Sequence, residues 1–353
     1  MQFQPPQKYE DIPTVDQLVE IADRTIAGLE KAKRRLALLL HRHMVSAFTD
    51  VYVPTPNLLM IGPTGGGKTI LVTTMLEACG LPWAEGKATE YSPSGFQGRD
   101  LPTMYAGLVS PRWAGVKGVD EELWTQRQMI EYAQKYGVLF LDEFDKIRMI
   151  PGAPPDKDFG KPLQAELLTM TEGTSVEVVR FQGDRGFTFR THHVLHIAVG
   201  AFQGLDDVML KIDGIENPTP DDKLSVHLDV DAYDIIKYGF LEELVGRFAV
   251  MVPLPKLNHE AMTRILNEHV VPGYRNALGS MGCKFVIEDG AMAWLAGEGT
   301  KSKVGARGLP PLFEEVLSEQ WAMAKPGDTV AITANSVQQR QAELWPAKLA
   351  VAS

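Results

Sequence analysis

The chain has 353 residues, 44% hydrophobic and 23% charged, a balance that suits a folded protein with one sizeable core or two moderate ones. Its 45 acidic residues outnumber 35 basic ones, and the net charge of −10 works against non-specific binding to nucleic acid or an anionic membrane, although it leaves room for a local basic groove. The two cysteines, Cys79 and Cys283, lie far apart without C-x-x-C spacing, which suggests neither a disulfide framework nor a cysteine zinc site. No apolar run approaches the roughly 20 residues that cross a bilayer, so the expectation is a cytoplasmic protein without a membrane partner.

In chain order, residues 1–13 are polar and Pro-containing and read as a flexible arm. Helical spacing begins at Val15, Leu18, Val19 and Ile21, and a longer helix is expected from Leu29 to Ala47. Nearly uninterrupted apolar runs at Leu58–Ile61, Val138–Leu141 and Val194–Val199 predict strands covered on both faces. Helical stretches at Thr69–Ala78, Glu121–Tyr136 and Leu163–Met170 lie between them, and the alternation predicts a doubly wound α/β core with a parallel sheet. The prolines of VPLPKLN, beginning at Val252, mark a domain boundary. Beyond it, helices over His259–Asn276, Glu288–Ala296 and Gly308–Ala324 surround short β pieces at Lys284–Ile287 and Thr329–Thr333. The expected organisation is an arm (1–13), a large α/β domain (14–255), a smaller and mostly helical domain (256–345) and a tail (346–353).

The segment from Asn57 to Thr69, NLLMIGPTGGGKT, places a Gly-rich loop between a strand and a helix. Gly65, Gly66 and Gly67 let successive backbone N–H groups turn toward a phosphate at the positive end of the following helix. Lys68 is positioned for the β and γ phosphates of a nucleoside triphosphate and the Thr69 hydroxyl for Mg2+. A second segment, GVLFLDEFDKI (137–147), puts Asp142 and Glu143 at the carboxyl end of a buried strand. Asp142 would act through Mg2+, and Glu143 would orient and polarise the attacking water.

With these motifs in place, the chain resembles the AAA+ ATPases and, within them, the ClpX/HslU family of protein unfoldases. Ile26 to Lys33 (IAGLEKAK) is similar to the family's segment beside the adenine pocket, GKPLQAELLTMTEGT (160–174) to the helix and turn after the hydrolytic carboxylates, and GAFQGL (200–205) to the segment after the sensor-1 strand. Leu244 to Phe248 (LVGRF) resembles the arginine-finger segment and Gly305 to Leu309 (GARGL) the sensor-2 motif. The resemblance implies ATP and Mg2+ as cofactors. Nucleotide contacts are expected from Gly62, Pro63, Thr64, Gly65, Gly66, Gly67, Lys68, Thr69 and Ile70, with Ile26, Ala27 and Arg307. It implies Thr69 and Asp142 at the metal, Glu143, Asp142 and Lys68 in hydrolysis, and Arg247 completing a neighbouring subunit's site in a homo-oligomer, a hexameric ring. Gly95, Phe96, Gln97 and Gly98 are similar to the pore loop that grips a protein substrate.

The chain departs from that family in four places. No cysteine precedes Cys79, so the N-terminal zinc domain that ClpX carries is not expected here. Tyr105–Asp120 reads as an insertion, with Tyr105, Trp113 and nearby Trp124 either binding a partner or forming a satellite cluster. The loop Lys211–Val230 lacks the small apolar tripeptide centred on Gly that docks a peptidase, its only glycine being Gly214, so a peptidase partner is not expected. The sensor-1 strand ends in Ala198-Val199-Gly200 with no polar side chain. The expected function is an ATP-driven unfoldase or remodeller. A motor or loader on nucleic acid, a remodeller of one complex, and a regulatory nucleotide switch remain open. The basic run Lys31, Lys33, Arg34, Arg35, His41, Arg42 and His43 is read as a solvated helix side, and His192, His193 and His196 as lying on opposite strand faces rather than as a metal site.

Overall fold

The computed structural model describes residues 9–49, 55–92, 99–110, 125–150, 152, 154, 158–180, 184–215 and 228–337. It divides into two compact units, one of Met1–Thr25, Leu29–Gly62 and Lys68–Pro255, the other of Ile26–Gly28, Pro63–Gly67 and Lys256–Ser353.

The larger unit begins with a 3-10 turn at Tyr9–Asp11 and helix α1 (Val15–Asp23). Thr14 and Gln17 cap α1 reciprocally: Gln17 N–H donates to Thr14 Oγ1 at 3.3 Å and Thr14 N–H to Gln17 Oε1 at 2.8 Å. Residues 9–12 of the expected arm are therefore folded, because Ile12 is buried in the core. Helix α2 (Glu30–Thr49) turns Leu36, Leu39, Leu40 and Met44 inward. Its basic run is only partly a solvated side. Lys33 is fully buried, with Nζ 2.6 Å from Asp23 Oδ1 and 3.6 Å from Glu30 Oε2, as burial of a cation demands, and His43 is buried as well.

After α2 come β1 (Leu58–Ile61), α3 (Lys68–Cys79), β2 (Trp83–Lys87), β3 (Tyr91–Ser92), β4 (Arg99–Asp100), α4 (Gln126–Tyr136), β5 (Val138–Asp142) and α5 (Gly160–Glu172). They are followed by β6 (Ser175–Val178), β7 (Phe187–Arg190), β8 (Leu195–Gly200), α6 (Leu205–Ile212), α7 (Ala232–Tyr238), α8 (Glu242–Arg247) and β9 (Val250–Pro253). Among the described residues β2, β5, β8, β1 and β9 form, in that order, a five-stranded sheet whose neighbours all pair in parallel. Every residue of β1 and β8 is buried, as expected of a parallel sheet covered on both faces. Register aligns Ile61 with Gly200 on one side and Pro253 on the other, so β1 ends between β8 and β9. Pro253, which has no N–H, is tolerated because β9 is an edge strand.

Aromatic rings pack near the carboxyl ends of these strands. Phe144 lies 5.2 Å from both Phe240 and Phe248 between centroids, and Phe202 lies 5.4 Å from Tyr238. Tyr105 does not begin a surface insertion: it is fully buried in the 3-10 run Leu101–Leu108, stacked 5.2 Å from Phe189. Trp113 and Trp124 lie outside the described residues. Of the three histidines expected on one strand, only His196 is in β8.

In the smaller unit, α9 (His259–Ile265) leads through a π turn at Leu266–Val270 into α10 (Val271–Ser280). The helix expected over 259–276 is broken there because Pro272 has no N–H and its ring crowds the preceding turn. Strands β10 (Lys284–Ile287) and β11 (Thr329–Ile332) pair in parallel, with α11 (Asp289–Lys301) and α12 (Leu309–Met323) completing the unit. Leu266, Leu278, Leu295, Phe313 and Ile332 form its core, each such side chain contributing about 1.5–3 kcal/mol on full burial.

Candidate active site

In the larger unit, four expected residues meet at the carboxyl ends of β1 and β5, where open α/β sheets bind their ligands. Lys68, the first residue of α3, is 8% exposed and its ammonium donates to the Gly62 carbonyl at 2.7 Å. One residue on, the Thr69 hydroxyl donates to Asp142 Oδ2 at 2.8 Å, while Asp142 Oδ1 accepts the Glu143 N–H at 2.7 Å. Glu143 is left-handed (φ 57°, ψ 31°), a conformation that costs a non-glycine residue about 1 kcal/mol or more. Such strain at the end of a buried strand turns the carboxylate away from the path β5 would take. Glu143 Oε2 accepts from Thr89 Oγ1 at 2.7 Å.

Thr89 went unrecognised in the sequence because it follows β2, a short strand of alternating burial that carries no continuous apolar signal. Glu85, on β2, adds a further acid: its carboxyl is raised above its usual range by burial and then by the charge of Asp142. The Thr69 hydroxyl and the Asp142 carboxylate are hard oxygen donors of the kind a divalent cation takes, while among the described residues no three His, Cys, Asp or Glu side chains cluster closely enough to hold a metal by themselves.

In the smaller unit, Ile26 and Ala27 are buried and the loop crest Pro63–Gly67 packs on the segment before Arg307. Gly65 (φ 71°) shows why the loop must be glycine: a Cβ there would stand 2.0 Å from the Val304 carbonyl oxygen. Ala306 N–H donates to the Gly65 carbonyl at 3.3 Å, and the Arg307 side chain is exposed. Ile70 is also exposed, on the first turn of α3 in the larger unit.

Arg247 is not among the four residues that meet; it closes α8 and its guanidinium pairs with Glu172 at the end of α5, both side chains being half exposed. Gly95, Phe96, Gln97 and Gly98 lie outside the described residues, between β3 and β4, which pair through Tyr91 with Arg99 and Ser92 with Asp100. Residues 216–227 of the expected docking loop and the tail 346–353 lie outside them too.

Residues 53–251 match the AAA domain (Cdc48 subfamily). The chain belongs to the AAA family. Residues 257–330 match the C-terminal D2-small domain of ClpB protein. The ATP-dependent Clp protease ATP-binding subunit ClpX 3 of Methylococcus capsulatus is 29% identical, over 87% of this chain and 75% of that protein. The ClpX subunits of Azotobacter vinelandii and Treponema denticola are 28% and 29% identical, covering 84% and 87% of this chain and 71% and 76% of their own lengths. The fold is thus the AAA α/β fold and the chain a ClpX-like AAA+ ATPase, as the motif order implied. ATP is the nucleotide of this AAA domain, and the chain is an ATPase. No helix among the described residues is long and apolar enough to cross a membrane.

Proposed function

We propose that this AAA protein is a cytoplasmic ring motor, built as a hexamer of identical chains, that unfolds or remodels proteins by drawing polypeptide past Phe96 as ATP is hydrolysed. The observation that carries this reading is the meeting of Lys68, Thr69, Asp142 and Glu143 at the ends of β1 and β5. Residues 14–255 serve as the nucleotide domain and 256–345 as its helical lid. Thr69 and Asp142 would hold Mg2+, which would neutralise phosphate charge. Lys68 exchanges the Gly62 carbonyl for a phosphate oxygen, and the loop N–H groups of 65–67 cradle the rest. Glu143 leaves Thr89 to orient the attacking water, while Arg307 reads phosphate in its own chain and Arg247 leaves Glu172 to complete the next protomer's site.

The similar proteins are named as ATP-binding subunits of a Clp protease, and their likeness supports protein as the substrate. The absence of a Gly-centred docking tripeptide in the sequence 211–230 favours remodelling without a peptidase. The acidic balance disfavours nucleic acid as the substrate. The test is a trap: tagged Glu143→Gln protein, loaded with ATP in native extract, is recovered with and without nuclease and its cargo identified. One or a few proteins held by Glu143→Gln and lost from Glu143→Gln, Phe96→Ala would support the reading. Nuclease-sensitive cargo, or cargo indifferent to Phe96, would overturn it, and a co-purifying peptidase would restore a degradative role.

A further inference from the structure

Beside the hydrolytic carboxylates, a third acid in LDEFDKI is used by neither metal nor water in the scheme above. Asp145 lies in the 3-10 turn Phe144–Ile147, and its side chain is 2% exposed. A carboxylate buried this far must be paired and hydrogen-bonded. Its Oδ2 accepts from Lys146 Nζ at 2.8 Å, and its Oδ1 accepts the Ala201 N–H at 3.0 Å, across from β5 to the residue after β8.

That N–H belongs to the Gly200–Ala201 peptide, whose carbonyl accepts the Gly62 N–H at 3.2 Å. One peptide plane is thereby held from both edges, by the turn that carries Glu143 and by the base of the phosphate loop. Gly62 in turn receives the Lys68 ammonium on its own carbonyl. A carboxylate at the N–H polarises the peptide and strengthens its carbonyl as an acceptor, so the two bonds support each other.

The local sequence is shaped to this contact. A Cβ on Gly200 would stand 2.9 Å from Asp145 Oδ1 and 2.6 Å from Phe202 Cε2, so β8 ends without a side chain because the Asp145 carboxylate occupies that space. Among the described residues three non-glycines have positive φ. Two flank the bond: Glu143, two residues before Asp145, and Phe202, one after Ala201. Strained backbone persists where its surroundings over-determine it.

We propose that Asp145 is a positioning residue for ATP hydrolysis, latching the Glu143 turn through the Gly200–Ala201 peptide to the base of the phosphate loop. It holds the turn that carries Glu143 in place relative to Gly62, and so supplies from the turn after β5 the polar group that the end of β8 lacks. The inference rests on the hydrolytic role given to Glu143, which is read separately from Glu143→Gln: that variant must bind nucleotide and fail to hydrolyse it.

The test compares wild type with Asp145→Asn, Asp145→Ala and Gly200→Ala in the full chain, reading kcat and KM for ATP, binding of a fluorescent ATP analogue, and melting temperature. Asp145→Ala should lower kcat by about 10- to 100-fold while analogue affinity stays within about threefold, because a misplaced reacting group costs rate rather than binding. Asp145→Asn keeps an oxygen acceptor for Ala201 and should recover most of kcat, whereas Gly200→Ala, which displaces the carboxylate, should reproduce the loss. A merely structural role would lower melting temperature and leave kcat per folded molecule unchanged, and that result overturns the proposal. So would an Asp145→Asn loss as deep as that of Asp145→Ala. Should Asp145→Ala not fold, Gly200→Ala decides against Asp145→Asn: loss in the first with retention in the second supports the latch, and wild-type kcat in both removes it.

Discussion

At its amino-terminal end β8 buries His196, with Nε2 2.9 Å from the Tyr105 hydroxyl and its backbone N–H donating to Asn57 Oδ1 at 3.0 Å. At the carboxyl end it receives the Asp145 carboxylate on Ala201, beside two left-handed residues. Both ends hold buried polar groups. The first has no left-handed non-glycine residue, is flanked by the apolar packing of Tyr105 on Phe189, and carries histidines that burial keeps neutral: His196 and His43 are each lowered to about 4. The second joins charge and backbone strain at the end of a strand whose last carbonyl accepts the Gly62 N–H. The buried histidines of the first end bear on stability, and the strain and charge of the second bear on the chemistry proposed for Glu143.

The contrast is sharpest under acid. His43 and His196 have folded-state values below the ordinary 6.5, so an unfolded chain takes up protons that the folded one refuses. Their contribution is intact above pH 6.5 and is lost as pH falls from there toward 4. Between pH 7.5 and 5 the pair should remove about 4 kcal/mol of stability. Urea denaturation at the two pH values checks this. His43→Leu should cut the histidine share of the loss by about half. An unchanged pH dependence in that variant would mean the amino-terminal end is not the acid-sensitive one.

A smaller effect is expected at the other end. Thr89→Val removes the hydroxyl that holds Glu143 and keeps the shape. A hydrogen bond to a charged group is worth about 1.5–3 kcal/mol, part of which is recovered from water at this exposed site, so freeing the carboxylate should raise basal kcat by roughly threefold with little change in melting temperature. A fall in stability without a change in rate would erase the distinction between the two ends.

Much of this was legible in the sequence. LLMI and VLFL read as buried strands because both their faces are covered, and the Gly-rich loop and the Asp142-Glu143 pair fall where those strands end. Alternating burial hid β2, and with it Thr89, since WAEGK offers no apolar run. The prolines around Val252 hid β9, because a strand at the edge of a sheet tolerates what a central one does not. Lys33 and His43 sit in a run of exposed cations, and only packing against Asp23 and the Tyr136 carbonyl removes them from the surface. The role of Asp145 depends on a partner that is 56 residues away in sequence, which no local pattern carries.

The hydrolytic role proposed for Glu143 sets it apart from the groups that bind phosphate. It is tested most directly by steady-state ATP hydrolysis of Glu143→Gln beside direct nucleotide binding to the same protein. Hydrolysis should fall by at least about 100-fold with ATP affinity within severalfold of wild type, as expected when a group acts in the transition state and not in binding. Turnover at the wild-type rate would contradict the assignment of Glu143 as the hydrolytic carboxylate.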